Sequence, residues 1–185
     1  MEKKEIEIPL GPYQLKTGSH AGEYIEDFVF KNSDYLFHVR SINRRPNDML
    51  NKQLNFIFEA GNLLSTQEIC PFCKKNTVKF FLHHEDFLLT GLTCCSENGC
   101  RMELKNLHPG IDLLPFCLYV LGSFKNKDAR EKAEIFFKKV YGLPRFLTPQ
   151  KVFNILKEAI VGKDLPIIAP PNTKSLLAIQ LTFIF

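Results

Sequence analysis

The chain contains no tryptophan, only three methionines, and no apolar run long enough to cross a bilayer. Its longest apolar stretch, Leu113 to Gly122, is interrupted by Pro115. The opening residues, Met-Glu-Lys-Lys-Glu, lack the apolar core of a secretory signal. These absences predict a soluble protein of the cytoplasm or nucleus with no membrane partner. Common catalytic signatures are missing too. There is no glycine-rich phosphate loop, no nucleophile elbow and no HExxH. Low complexity and internal repeats are absent, and 45% hydrophobic with 24% charged residues over 185 positions excludes a disordered chain or a fibre.

What the chain does have is seventeen phenylalanines, six cysteines and a net charge of +4. The charge is uneven. Residues 1–66 carry 8 basic and 9 acidic side chains, residues 67–110 carry 5 and 5, and residues 111–185 carry 11 and 6. Such an excess suits nucleic acid. Four-residue spacing nevertheless predicts that much of it is paired on a solvated helix face, Lys127 with Glu131 and both Arg130 and Lys138 with Glu134.

Periodicity divides the chain into three segments. Residues 1–65 read as an N-terminal glycine-turn and helical module. It holds a short strand over Glu5 to Ile8, turns at Gly11, Pro12, Gly18 and Gly22, and helical faces at Tyr24-Ile25-Phe28-Val29, at Tyr35-Leu36-Val39-Ile42, and from Met49 to a stop at Gly61. Asn32 or Ser33 is placed to cap the second helix, and Pro46 to end it. Residues 66–108 read as a ribbon with strands over Thr77–Leu82 and Phe87–Thr93 about a polar turn, His83 to Asp86. Residues 109–185 read as a helical bundle. One stripe is Leu113, Leu114, Cys117, Val120, Leu121 and Phe124, a second is Ala133, Phe136, Phe137 and Val140, and Thr148-Pro149 caps a last helix. The apolar tail, Leu176 to Phe185, is expected to pair in a sheet or dock on a partner. The fold class expected is α+β: N-terminal helical module, central β-hairpin zinc ribbon, C-terminal helical bundle.

The cysteines carry the sharpest signal. Cys70-Pro71-Phe72-Cys73 is a tight knuckle, and Cys95 and Cys100 follow beyond the hairpin. Two close pairs brought together by a short hairpin match what a tetrahedral zinc ion requires. The expected ligands are Cys70, Cys73, Cys95 and Cys100, with Cys94 competing with Cys95 for the third place. Gly99 is expected to let the second turn bend toward the ion. Four thiolates close the shell, so the Zn2+ is structural. Cys117 sits on an apolar stripe and reads as a buried free thiol.

Two resemblances add to this. The segment Gly18 to Phe28, with Ile25-Glu26-Asp27, followed by Ser33-Asp34-Tyr35-Leu36, resembles the C-terminal module of exonuclease X-like proteins over residues 17–40. The glycines there would shape a tight hairpin, with Ile25 and Phe28 beneath it and Tyr35 packing from the next helix; Ser19, Ala21 and Glu23 replace that family's basic residues. Residues 70–100 are similar to zinc-bearing HNH nucleases of the endonuclease VII kind, through Cys70 and Cys73, His83 to Asp86, Gly91-Leu92-Thr93-Cys94, and Asn98. That resemblance implies a histidine general base and an aspartate-held cation. The Asp-His order of those enzymes is absent.

Together these readings predict a non-catalytic, zinc-binding, nucleic-acid-binding accessory subunit of a larger complex, with DNA or RNA and a protein as partners. No residue is assigned a catalytic role. Phosphate contacts are expected from Arg40, Arg44, Arg45, Lys74, Lys75 and Lys79. A further candidate face is Gln150, Lys151, Asn154 and Lys157, if helices 128–141 and 148–162 form a helix-turn-helix. The alternatives are a protein-interaction adaptor docking through ribbon and tail, and an HNH-like metal-dependent endonuclease.

Overall fold

A computed structural model describes residues 6–43, 48–84 and 87–162, and of residues 87–91 the backbone alone. In chain order the elements are a 3-10 helix, Ile25–Phe28, then α1 (Ser33–Ile42), α2 (Met49–Asn62), β1 (Phe80–His84), β2 (Phe87–Cys94), α3 (Asn98–Leu107), β3 (Asp112–Pro115), α4 (Leu118–Leu121), α5 (Lys127–Val140) and α6 (Pro149–Val161). The described residues therefore form an α+β protein, six α-helices about one antiparallel three-stranded sheet of order β2-β1-β3.

Local chemistry explains most element starts. Asp48 accepts from the amides of Leu50 and Asn51 at the head of α2, and Asn126 from those of Asp128 and Ala129 at the head of α5. Thr148 Oγ1 accepts from Lys151 N at 3.3 Å, with Pro149 in the first turn of α6. On α5, Ala129, Ala133, Phe136, Phe137 and Val140 are buried, one stripe at helical spacing. The glycine hairpin is formed as read. Leu15 N donates to Glu23 O at 2.8 Å and Gly22 N to Leu15 O at 2.8 Å. Gly18 and Gly22 take φ near +90°, where a side chain would be strained. Ile25 and Phe28 are buried beneath, and the Phe28 and Tyr35 rings lie 4.5 Å apart.

The core is continuous across all three sequence segments. It runs from Ile25 and Phe28 through Phe56 and Phe58 to Phe81, Phe137 and Phe153. Phe81, the second residue of β1, meets Phe116 at 4.9 Å and Phe137 at 5.4 Å, with Phe137 edge-on. α5 therefore covers one face of the sheet. On the other face the Arg101 guanidinium of α3 lies 4.9 Å from the Phe80 ring. α6 packs on α2 and on the 3-10 helix.

Several expectations are corrected. The stripe from Leu113 is not one helix. Leu113 and Leu114 pair with Leu82 and Phe81 in β3, and only Leu118–Leu121 is helical. Pro115 disfavours helix at the residue before it and is tolerated at the end of an edge strand. His83 and His84 are not in a turn but extend β1, opposite Leu88 and Phe87. Gly61 does not stop α2, which continues to Asn62. Instead, a Cβ there would collide with Leu118 Cδ1, so the glycine permits α4 to approach. Ile6 to Ile8 are not in a strand. Pro46, Glu85, Asp86 and the tail lie outside the described residues.

The helix-face pairings also change. Lys127 does reach Glu131, at 3.8 Å. Arg130, however, pairs with Asp34 at 2.6 Å, and Glu134 is buried. Its carboxylate accepts from Asn32 N (3.2 Å) and Ser33 N (2.6 Å), capping α1 from another helix, while the Asn32 side chain makes no cap bond.

A second buried carboxylate ties the N-terminal segment down. Glu26 accepts from Tyr13 N at 3.1 Å and from Gln53 Nε2. Burial raises its pKa to about 7, against an ordinary 4.5, despite these donors. Between those values the folded chain keeps a proton that the unfolded chain has released. Stability at this site therefore falls as pH rises through the window and levels off above it. The loss is on the order of 3 kcal/mol at most. Glu26→Gln keeps the neutral shape at every pH. The melting temperature of wild type minus that of Glu26→Gln should fall by several degrees from about pH 5 to about pH 8. A pH-independent difference in thermal scans would show that Glu26 does not titrate there.

Candidate metal centre

The first knuckle is a small hairpin of its own. Ile69 and Thr77 form an isolated bridge, and Cys70 N donates to Asn76 O at 2.8 Å. Lys74 N donates to Cys70 O at 3.0 Å, and Lys74 itself takes a left-handed φ of +57°, which turns the chain back toward Asn76. This turn aims the backbone amides of Asn76 and Lys75 at the Cys73 sulfur, and they lower its pKa to about 6. Backbone dipoles thus favour the thiolate form of Cys73.

The second pair is arranged differently from a plain ribbon. Cys95 directly follows β2, and Cys100 lies in the first turn of α3. Gly99 is consequently ordinary helical backbone, with no positive φ, so the expected special bend is not used. Asn98 and Ser96 are exposed polar positions of the connection. Asn76 Nδ2 donates to Glu97 Oε1 at 3.4 Å, bridging the two halves.

Hairpin and helix bring the sulfurs of Cys70, Cys73, Cys95 and Cys100 within 4.8 Å of one another. Three of these residues are buried and Cys73 is half-buried; all are free thiols. The Cys73 and Cys95 sulfurs are 3.7 Å apart. A tetrahedron with metal–sulfur bonds of about 2.3 Å has sulfur–sulfur edges of about 3.8 Å, whereas a disulfide needs about 2.0 Å. Spacing and donor type therefore fit a metal ion. Burial pushes the Cys95 and Cys100 thiols up, so closing the set as four thiolates requires a cation in the middle. Cys94 is not one of the four. Its thiol is fully buried, and burial raises its pKa to about 11. Its alternation across the last residue of β2 sends it into the core and leaves Cys95 to the cluster. Cys117 is half-buried at the N-cap of α4, away from the group.

The other candidate residues are dispersed. Lys74 and Lys75 are exposed on the knuckle, and Lys79 is exposed just beyond it. Arg40 is occupied. Its guanidinium lies 4.4 Å from the Phe58 ring and 5.1 Å from that of Tyr119, and donates to Tyr119 Oη at 2.8 Å. Arg44 and Arg45 lie outside the described residues. His83 is buried, its ring 4.9 Å from Phe124 and its Nε2 2.8 Å from Ser123 Oγ. The Ser123 hydroxyl proton goes to Val120 O, so His83 Nε2 is the donor to Ser123. Neither this role nor the inward cap of Glu134 has a signal in the local sequence. Among the described residues, no helix is long and apolar enough to cross a membrane. No family model, no curated protein and no solved structure matches this chain.

Protein purified under reducing conditions should contain about one metal ion per chain by elemental analysis. Cys70→Ser or Cys100→Ser should lose it and open the 66–108 segment to protease, since binding energy there is folding energy. Cys94→Ser and Cys117→Ser should retain it. Metal-free reduced wild type with an intact protease-resistant fold would refute the site.

Proposed function

We propose that this protein is a non-catalytic, zinc-binding accessory subunit that holds nucleic acid within a larger complex. The observation that supports this reading is the four-sulfur cluster, whose knuckle carries the exposed pair Lys74-Lys75. An all-sulfur tetrahedral set favours zinc among common divalent ions, and it leaves no open position for substrate or water. The ion is therefore structural. It braces a short turn that would collapse or fray without it, and the turn presents two adjacent cations to a phosphate backbone. Lys79 extends the same surface. The buried, partnered state of His83 favours this non-catalytic reading over the HNH-like one.

Elemental analysis should identify the ion as zinc. Lys74→Ala with Lys75→Ala should leave the metal in place and weaken binding to oligonucleotides. It should also flatten the log–log salt dependence by roughly 0.7–0.9 for each phosphate no longer neutralised. Lys127→Ala with Lys132→Ala, on the exposed side of α5, should change neither. A fluorescence titration at several salt concentrations decides between these outcomes. An unchanged slope in the folded, metal-loaded Lys74/Lys75 variant would remove these lysines from the interface. If wild type binds no strand or duplex in a salt-dependent way, the adaptor reading takes its place.

A further inference from the structure

The corner between α5 and α6 combines two features that folding does not explain. The first is Phe146, which is 80% exposed. Its exposure does not come from a loose loop. Leu143 and Leu147 on either side pack against the core. Leu143 N donates to Lys138 O at 2.8 Å, Gly142 N to Lys139 O at 2.9 Å, and Lys138 Nζ donates to Arg145 O. The aromatic ring is held outward by a pinned turn.

The second feature is charge. Between Glu134 and Glu158 the chain has five cations, Lys138, Lys139, Arg145, Lys151 and Lys157, and no carboxylate. Glu134, the expected partner of Lys138, is turned inward to cap α1. Lys139 has Glu68 at 3.6 Å as its neighbour. Arg145 is exposed, its guanidinium 5.4 Å from the Phe146 ring. Burial lowers the pKa of Lys138; the nearby Glu134 charge raises it, and the Arg145 charge lowers it more weakly.

We propose that this corner is a binding site for single-stranded nucleic acid, with a base stacked on Phe146 and backbone phosphates held by Arg145 and Lys151. A duplex hides its base faces, so an exposed ring beside a guanidinium selects an unpaired strand. The corner also adjoins the stem of the zinc knuckle. Gln67 N donates to Val140 O at 2.8 Å, and Glu68, the partner of Lys139, precedes Ile69 by one residue. The corner is therefore tied to the segment that leads into the Lys74-Lys75 turn. The proposal shares its ligand class with the function proposed above, but not its residues.

The test uses the full chain with fluorescein-labelled oligo-dT of about 16 nucleotides and a duplex of equal length. Wild type should prefer the strand. Phe146→Ala should weaken strand binding about five- to hundredfold, the loss of one stacked base, with the salt slope unchanged. Phe146→Tyr should restore affinity and Phe146→Leu should not, because stacking needs a ring. Arg145→Ala should lower the slope by about 0.7. The exposed position should leave melting temperatures unaltered in all four variants. If Phe146→Ala binds the strand like wild type while the Lys74/Lys75 variant does not, the corner proposal fails and the knuckle reading stands. If wild type binds neither strand nor duplex, both fail. Equal affinity of Phe146→Leu and wild type would overturn stacking. So would Phe146-dependent capture by phosphatidylserine vesicles with strand binding unaffected, which would make the corner a lipid contact.

Discussion

Four sulfur atoms confined to one small volume set the geometry of the middle of the chain. The β1–β2 ladder sets the end of β2 beside the stem of the Cys70 knuckle, with Phe80 opposite Cys94 and Lys79 N donating to Cys94 O at 2.7 Å, and the sulfurs bring the first turn of α3 to the same place. Cys100 ties the first turn of α3 to that cluster. Leu104 then faces the core and Arg101 lies over Phe80. The sheet is thereby covered on the face that α5 does not reach. Lys74 adopts a left-handed backbone in the knuckle, and the same turn leaves its side chain and that of Lys75 exposed. The surface proposed to meet phosphate is thus a by-product of how the sulfurs are gathered.

Two buried carboxylates perform a related task for the rest of the fold. Glu26 fastens the glycine hairpin to α2, and Glu134 fastens the start of α1 to α5. Each supplies acceptors for backbone or amide donors that would otherwise be buried unmet, which is why a charged residue is tolerated there. Glu134 also shapes the outside of the molecule. Its oxygens accept from the Asn32 and Ser33 amides, and residues 135–157 beyond it hold five cations and no carboxylate, so the α5–α6 corner carries positive charge. The exposed Phe146 sits there beside Arg145, the setting proposed above for an unpaired strand.

Much of this was readable from short stretches of sequence. The CxxC knuckle and the later cysteine pair, the Thr148-Pro149 cap, the apolar stripe of α5 and the glycine hairpin each depend on residues within a turn or two of one another. Caps, thiol spacing and 3.6-residue periodicity act at that range, so the α+β class and the four clustered cysteines follow from them. Other features involve partners far along the chain. Leu113 and Leu114 fit a helical stripe as well as a strand, and only the free edge of β1 made them strand. His83 looked like a turn residue until Ser123 and Phe124 enclosed it. Glu134 had the spacing of a surface partner for Lys138, yet its carboxylate serves amides a hundred residues earlier. Local spacing determines which groups can meet along one helix or turn. Which of them do meet is decided when distant elements compete for the same buried donors and apolar faces, and that competition exists only in the packed structure.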